Sequence, residues 1–237
     1  DANGNFGAEP SRSGARVFAD LLIARGVTIV GDAAHRARPD DVEFTSLGFV
    51  DSAPLTEILV ELLHTSDNNT AELVLMEIGH TTGNPSRQGG LEVVWNQLAE
   101  WGIALDGVNL ADGSGLSRAG TLSCATLTSL LTESPVAADL IRLLPVAGRD
   151  GTLAAEFGGT PVEGALRAKT GTLTGVKALA GVTPDGAGHD VVFAVVLNGD
   201  GVADPAVYQP VWNRLVDTVA GYPIEARPDL APFQPHP

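Results

Sequence analysis

A lysine, two threonines and a glycine close one apolar run of the sequence, and these residues are the best suited to do chemistry. They form the stretch Lys169-Thr170-Gly171-Thr172. The side chains offer an ammonium and two hydroxyl groups, the backbone N–H of Thr172 adds a further donor, and Gly171 lets a bound molecule lie close to the chain. Rigid donors in a water-poor place stabilise a developing negative charge. The stretch therefore predicts a site for a carboxylate or a reacting carbonyl.

A second polar stretch, Ser66-Asp67-Asn68, separates two apolar segments with helical spacing, Leu55–His64 and Ala71–Ile78. Serine, aspartate and asparagine are preferred helix N-caps, but one cap needs only one side chain. Two interpretations therefore stay open: the residues cap a helix and do nothing else, or some of them face a cleft. In the second interpretation, Ser66 accepts or passes a proton near Lys169, and Asn68 pairs with a peptide group.

The third stretch is a loop, Asp112–Arg118, with the sequence Asp-Gly-Ser-Gly-Leu-Ser-Arg. Its two glycines predict a tight turn. The order Gly-x-Ser-x-Gly of a hydrolase nucleophile elbow is absent, and no strong strand leads directly into the loop. Ser114 is therefore a poor candidate for a nucleophile.

Other common nucleophilic systems find little support in the sequence. The single cysteine, Cys124, has no histidine at a spacing typical of a Cys–His pair, so we interpret it as a packed and inert thiol. A Ser–His–Asp triad is disfavoured because no histidine is paired with a serine and a carboxylate. The five histidines are His35, His64, His80, His189 and His236.

The elements that must position these residues form an α/β (α+β) fold, an antiparallel sheet flanked by helices. The lysine stretch lies on the first of three predicted strands, and the last helix packs on the sheet through Val207, Val211, Leu215, Val216 and Val219. The predicted strands are Leu166–Leu173, Lys177–Val182 and Asp190–Asn198, with further short strands at Val27–Gly31 and Val42–Val50. The other predicted helices are Gly14–Arg25, Ser86–Trp101, one that runs through Thr132 after a cap at Thr121 or Ser123, Val136–Leu144, Thr152–Phe157 and Ala206–Ala220.

Composition narrows the class of protein. The chain has 237 residues, 44% of them hydrophobic, which is enough for a sizeable core. Its formal net charge is −15, so nucleic acid and anionic membrane surfaces are not expected partners. A single cysteine excludes an internal disulfide, and the apolar runs are too short to span a bilayer. The first residues lack the basic and apolar parts of a signal peptide, so the sequence is interpreted as a mature chain or a piece of a longer one.

Together the three stretches resemble the motif set of penicillin-binding proteins and serine β-lactamases, which is Ser-x-x-Lys, Ser-x-Asn and Lys-Thr-Gly. The loop Asp112–Arg118 and the stretch Leu144–Leu153 narrow the resemblance to class C low-molecular-mass penicillin-binding proteins. These are D-alanyl-D-alanine carboxypeptidases and endopeptidases of the bacterial cell wall. The resemblance covers about Gly14 to Ala220. It implies that residues 13–220 are the C-terminal part of the penicillin-binding domain, after a leader loop or the end of an inserted domain (1–12) and before a proline-rich tail (221–237).

One motif of that set is missing. Neither Lys169 nor Lys177 has a serine three residues before it, and the nearest approach is the stretch Thr174–Lys177. In the family, Ser-x-x-Lys supplies the acylated serine and its lysine base near the N-terminus. The resemblance therefore implies a transpeptidase-like fold that is incomplete without an N-terminal segment, with the nucleophile on a companion chain or on a segment outside this sequence.

The resemblance also implies roles for individual residues. Ser66 relays the proton towards the leaving amine, Asn68 holds the penultimate amide of the substrate and the nucleophile's lysine, and Lys169 maintains the electrostatics of the relay. The hydroxyls of Thr170 and Thr172 bind the terminal carboxylate, and the N–H of Thr172 completes the oxyanion hole. The remaining substrate-binding residues are Gly171, which lets the substrate approach, and Leu116, Leu173 and Arg118, which flank the stem-peptide pocket.

The implied function is a serine DD-peptidase that cleaves D-alanyl-D-alanine termini and cross-links of peptidoglycan through an acyl-enzyme. It would need no metal or organic cofactor, would be inhibited by β-lactams and would act outside the cytoplasm, in the periplasm or cell wall. A β-lactamase or esterase of the same fold is the first alternative, disfavoured by the loop Asp112–Arg118 and by the sequence separation of 103 between Ser66 and Lys169. A non-catalytic peptidoglycan-binding fragment is the second.

Overall fold

A computed structural model of the chain describes residues 10–32, 34, 43, 45–46 and 48–222. The chain divides into two units, residues 1–51 and 52–237. In the first unit, helix α1 covers Pro10–Ile23. It begins earlier than predicted, because proline is well suited to the first turn of a helix. The predicted loop at 1–12 is therefore wrong for residues 10–12, and residues 1–9 lie outside the described part.

Among the residues that the structure describes, neither of the two short strands predicted in the first unit is present. Residues 27–31 are exposed and have no regular structure, so the predicted strand Val27–Gly31 is wrong. Within the predicted strand Val42–Val50, none of the residues that the structure describes is in a strand, and the others lie outside it. A strand needs a partner for its backbone groups, which a short apolar run does not reveal.

The second unit contains the three-stranded antiparallel sheet that the sequence predicts. Its strands are β1 (Arg167–Leu173), β2 (Val176–Pro184) and β3 (Asp190–Asn198), in the order β1-β2-β3. The α+β architecture is therefore confirmed. The helices of this unit are α2 (Leu55–Thr65), α3 (Asn68–His80), α4 (Arg87–Glu100), α5 (Cys124–Thr132), α6 (Ala137–Leu143) and α7 (Pro205–Ala220).

The short helix predicted at Thr152–Phe157 is a single 3-10 turn, Gly151–Leu153. Phe157 has a φ of +63°, which a continuing right-handed helix cannot contain. The turn and the loop after it still reach the core, because Leu153 and Phe157 are buried.

Helix α7 packs against the sheet through a stripe one residue away from the predicted one. The buried side chains are Tyr208, Trp212 and Val216, four residues apart, whereas Val207 and Val211 are exposed. The predicted contacts of Val207 and Val211 are therefore wrong, because large aromatic rings bury more apolar area than valine does. Val216 was predicted correctly, and Leu215 packs against the edge of the same cluster.

The core lies between α7 and one face of the sheet. Ala168, Leu179 and Phe193, one from each strand, belong to the same buried cluster as Trp212. Side chains alternate along a strand, so Ala168, Thr170 and Thr172 share this face. Lys169, Gly171 and Leu173 point to the opposite face.

The outer edge of β1 is only partly covered. The N–H of Ala168 donates to Pro145 O (3.1 Å), and the N–H of Ala147 donates to Leu166 O (2.9 Å). Backbone N–H groups two residues apart point to the same edge of a strand. The N–H groups of Thr170 and Thr172 therefore point to this outer edge, beyond the segment that covers its beginning.

Cys124 does not fit its sequence interpretation. It is the first residue of α5 and is exposed, so the predicted packed thiol is wrong. The side chain of Ser123 accepts from the Thr126 N–H and caps the helix, as predicted, and the two residues directly after this cap, Cys124 and Ala125, are exposed. None of the helices in the described ranges has the length and apolarity needed to cross a bilayer.

Candidate active site

The corner between α2 and α3 consists of two residues with different tasks. Ser66 is the C-cap of α2, and its N–H donates to Leu62 O. Asp67 is the N-cap of α3, where its Oδ1 accepts from the Thr70 N–H at 2.6 Å. This hydrogen bond is the main reason why the pKa of Asp67 is lowered. Asp67 alone therefore caps the helix, which leaves the exposed side chains of Ser66 and Asn68 for other contacts.

Ser66 adopts an uncommon backbone conformation. Its φ of 56° and ψ of 45° lie in the left-handed region, which glycine or asparagine usually occupies at this position of a helix end. A residue with a β-carbon held there costs on the order of 1 kcal/mol or more. A serine at such a position indicates that the placement of its hydroxyl matters.

Lys169 reaches this corner from the sheet. Its Nζ donates to Ser66 Oγ at 2.7 Å and to Thr170 O at 2.9 Å, and burial lowers its pKa. The predicted proximity of Ser66 and Lys169, 103 residues apart in sequence, is confirmed. An ammonium group has no acceptor, so Ser66 Oγ accepts this hydrogen bond. The proton of Ser66 is therefore left for another partner.

The threonines of β1 lie on the other face of the strand. Thr170 Oγ1 donates to Thr152 Oγ1 at 2.8 Å, and Thr172 Oγ1 accepts from Lys177 Nζ at 3.0 Å. Thr172 is exposed, and its N–H points to the outer edge of β1. The strand thus presents a cation at Ser66 on one face, two hydroxyls on the other, and open backbone at the edge between them.

The loop Asp112–Arg118 is attached to α3 by one carboxylate. Glu72 Oε1 accepts from Gly113 N (3.1 Å), Ser114 N (3.0 Å) and Ser114 Oγ (2.7 Å), while Oε2 accepts from Arg87 Nε (2.9 Å). Burial, the largest effect, raises the pKa of Glu72, but the hydrogen bonds from Ser114 and Arg87 outweigh it, so the net pKa is lowered. The Ser114 hydroxyl holds the loop.

The predicted pocket residues lie on two different elements of the fold. Leu116 and Arg118 are exposed on the loop that Glu72 holds. Leu173 is half-buried at the end of β1, where it and Thr172 line an open depression of about 440 Å³. Gly171 faces Ala178 of β2, and a methyl group in its place would touch that side chain at 3.4 Å. The roles of these residues stay predictions.

Residues 7–219 match the D-Ala-D-Ala carboxypeptidase 3 (S13) family. The chain belongs to this family. The resemblance to class C low-molecular-mass penicillin-binding proteins is thereby confirmed.

Two curated members of the S13 family show the extent of the match. The D-alanyl-D-alanine carboxypeptidase of Actinomadura sp. is 37% identical over 220 residues, which are 88% of this chain and 41% of the relative. The carboxypeptidase DacB of Mycolicibacterium smegmatis is 38% identical over 167 residues, 66% of this chain and 36% of the relative. The chain thus spans about two fifths of the length of these relatives.

A solved structure confirms the penicillin-binding fold of this S13 chain. Penicillin binding protein 4 (dacB) from Haemophilus influenzae, complexed with a β-lactam, superposes with a TM-score of 0.75 at 27% identity. The superposition covers 90% of this chain and 52% of that one.

Three residues that contact the predicted site were not foreseen. Thr152 bonds to Thr170, Lys177 bonds to Thr172, and Glu72 holds the loop. Lys177 carried a signal, because it is a charged residue inside an otherwise apolar strand. Glu72 lies four residues after Asn68, one helical turn along α3, but its partner loop is 41 residues away and could not be read from that spacing.

Replacing Glu72 with alanine is expected to destabilise this S13 protein by about 2 kcal/mol, because it leaves two backbone N–H groups and the Ser114 hydroxyl without their acceptor. Urea unfolding at neutral pH measures the loss. The pKa of Glu72 is lowered in the folded state, so its contribution is present at neutral pH and is lost as the pH falls through that pKa. The difference in the free energy of unfolding between wild type and Glu72→Ala therefore becomes smaller in acid.

Glu92→Ala is the matched control, since Glu92 lies on the exposed surface of α4 and, within the described part of the chain, bonds only to Gln88. Its expected effect is within about 0.5 kcal/mol. Equal effects of the two substitutions would contradict the role of Glu72 in holding the loop.

Proposed function

We propose that the whole protein is a serine DD-peptidase that cleaves D-alanyl-D-alanine termini and cross-links of peptidoglycan through an acyl-enzyme and is inhibited by β-lactams. The hydrogen bond from Lys169 Nζ to Ser66 Oγ carries the proposal, because it joins two motifs at one point. The proposal is further supported by two curated relatives that are a D-alanyl-D-alanine carboxypeptidase and a carboxypeptidase. In this proposal the chain contributes the proton relay and the carboxylate-binding strand of the site.

The relay follows from the direction of one hydrogen bond. Lys169 Nζ donates a hydrogen bond to Ser66 Oγ, so the hydroxyl proton of Ser66 points away from the ammonium. In this arrangement Ser66 passes a proton to the leaving amine, and the positive charge of Lys169 favours the anionic states of the relay. Asn68, at the start of α3, holds the penultimate amide of the substrate and the lysine of the nucleophile motif.

Strand β1 binds the other end of the substrate. The hydroxyls of Thr170 and Thr172 bind the terminal carboxylate, the Thr170 hydroxyl by turning its proton from Thr152 Oγ1 to the ligand. Gly171 lets the ligand lie along the strand. The outward N–H of Thr172 donates to the oxyanion, together with the N–H of the nucleophilic serine. The pocket for the stem-peptide side chain is formed by Leu116, Arg118 and Leu173.

The nucleophile belongs to a part of the protein outside this sequence, on a separate N-terminal chain or a further segment. Its hydroxyl attacks the carbonyl of the penultimate D-alanine and gives its proton to the lysine of the Ser-x-x-Lys motif. The C–N bond breaks, and the amine leaves with a proton from Ser66, which is replaced by the proton that the motif lysine took up. Water then hydrolyses the serine ester and regenerates the hydroxyl. No metal or organic cofactor takes part, and the protein acts outside the cytoplasm, on the cell-wall polymer.

The test uses the full-length protein and an N-acylated tripeptide that ends in D-Ala-D-Ala. We expect release of free D-alanine, with the same peptide ending in L-alanine as the matched control substrate. Pretreatment with benzylpenicillin should abolish the release. Rapid turnover of a chromogenic cephalosporin without release of D-alanine would contradict the proposal and favour the β-lactamase alternative. The absence of both reactions would also contradict it and would favour a non-catalytic peptidoglycan-binding fragment.

A further inference from the structure

A second lysine contacts the predicted site from the interior of the unit. Lys177 lies in β2 directly opposite Thr172, and it is only 9% exposed. Its Nζ donates to Thr172 Oγ1 at 3.0 Å. The same atom lies 4.1 Å from the ring centroid of Tyr208 and 5.0 Å from that of Trp212. One ammonium group therefore connects the aromatic core under α7 with a hydroxyl on β1.

The packing of the core does not explain this charge. Removing an ammonium from water costs free energy unless partners compensate it, and an apolar side chain of the same length would fill the space without that cost. The aromatic faces compensate part of it through cation–π attraction. Glu156 adds a longer-range attraction, and its Oε1 accepts from the Tyr208 hydroxyl at 2.8 Å. The position of the cation, next to Thr172, needs a separate reason.

The hydrogen bond fixes the direction in which Thr172 donates. An ammonium group only donates, so Thr172 Oγ1 is the acceptor and its own proton turns away from Lys177. Thr172 is exposed, and its backbone N–H points to the outer edge of β1. The chain contains two lysines, and each donates a hydrogen bond to one hydroxyl oxygen: Lys169 to Ser66 Oγ and Lys177 to Thr172 Oγ1.

We propose that Lys177 is a positioning residue for the DD-peptidase reaction: it holds the Thr172 hydroxyl with its proton outward, as a donor to the carboxylate of the bound D-alanyl or β-lactam ligand. The inference rests on the proposed function, because it needs a ligand that brings a carboxylate to β1. Lys177 itself acts only through Thr172.

A double-mutant cycle in the full-length protein tests this. The rate of acylation by benzylpenicillin is followed by intact-protein mass spectrometry for wild type, Lys177→Met, Thr172→Val and the double variant. We expect Lys177→Met to slow acylation about tenfold in the wild-type background, as the loss of a charged hydrogen bond does. In the Thr172→Val background it should change the rate by less than about twofold. Lys177→Arg, which keeps a donor-only cation, should retain most of the rate.

Each possible outcome supports or contradicts the proposed role of Lys177. If the wild type is not acylated, the proposed function fails, and the inference fails with it. If the wild type is acylated and Lys177→Met reacts equally fast, only the role of Lys177 is wrong. Equal slowing in both backgrounds would mean that Lys177 acts on the fold and not through Thr172. Should Lys177→Met fail to fold, a folded Lys177→Arg that reacts as slowly as Thr172→Val contradicts the proposal, and one that keeps the wild-type rate supports it.

Discussion

Replacing Lys169 with alanine in the full-length protein is expected to slow acylation by benzylpenicillin about a hundredfold or more, as the loss of a preorganised electrostatic group does. The substitution removes the donor that occupies Ser66 Oγ at 2.7 Å. Ser66 is then free to rotate, and its proton is no longer directed. The acylation rate constant, measured by mass spectrometry at increasing benzylpenicillin concentrations, gives the size of the effect.

Arg167→Ala is the matched control, because it removes a cation from the same face of the same strand. Arg167 bonds to the carbonyls of Arg142 and Leu144 and not to Ser66. We expect its acylation rate to stay within a few-fold of wild type. Unchanged acylation in Lys169→Ala, or an equal loss in both variants, would contradict the specific role of Lys169.

Replacing Ser66 with alanine is expected to cost about a hundredfold or more in the same acylation rate, as loss of a proton-transfer group does. Ser66→Gly should lose the rate equally, since it also lacks the hydroxyl. The two variants should differ in stability, because glycine adopts the φ of 56° without strain and alanine does not. A melting temperature of Ser66→Gly above that of Ser66→Ala, with both inactive, separates the hydroxyl from the backbone. Near-wild-type acylation in either variant would show that Ser66 is not the relay.

The sequence predicted the framework of the second unit well. Three apolar runs separated by short polar turns predicted β1, β2 and β3, and the polar corner at Ser66–Asn68 predicted the junction of α2 and α3. The helix cap needs one side chain, and the structure shows that Asp67 provides it. The contact between Ser66 and Lys169 followed from the resemblance to the penicillin-binding proteins, since no local pattern relates residues so far apart.

The remaining features depend on tertiary contacts that a sequence pattern does not contain. The face of α7 that packs on the sheet was predicted one residue off, because Tyr208 and Trp212 compete with the valines for the core. Lys177 is buried over those rings, although lysine is the residue type least expected in a core. The strand Val27–Gly31 was predicted from an apolar run alone, and no neighbouring strand pairs with it among the residues that the structure describes.

We propose that this chain holds the relay and the binding strand of a serine DD-peptidase whose nucleophile lies elsewhere in the protein. The most direct measurement is to label the full-length protein with benzylpenicillin, digest it and locate the acylated residue by tandem mass spectrometry. The account predicts a single label on the serine of a Ser-x-x-Lys motif outside these 237 residues. A label on Ser66, on Ser114 or on any other residue of this chain, or no label at all, would contradict it.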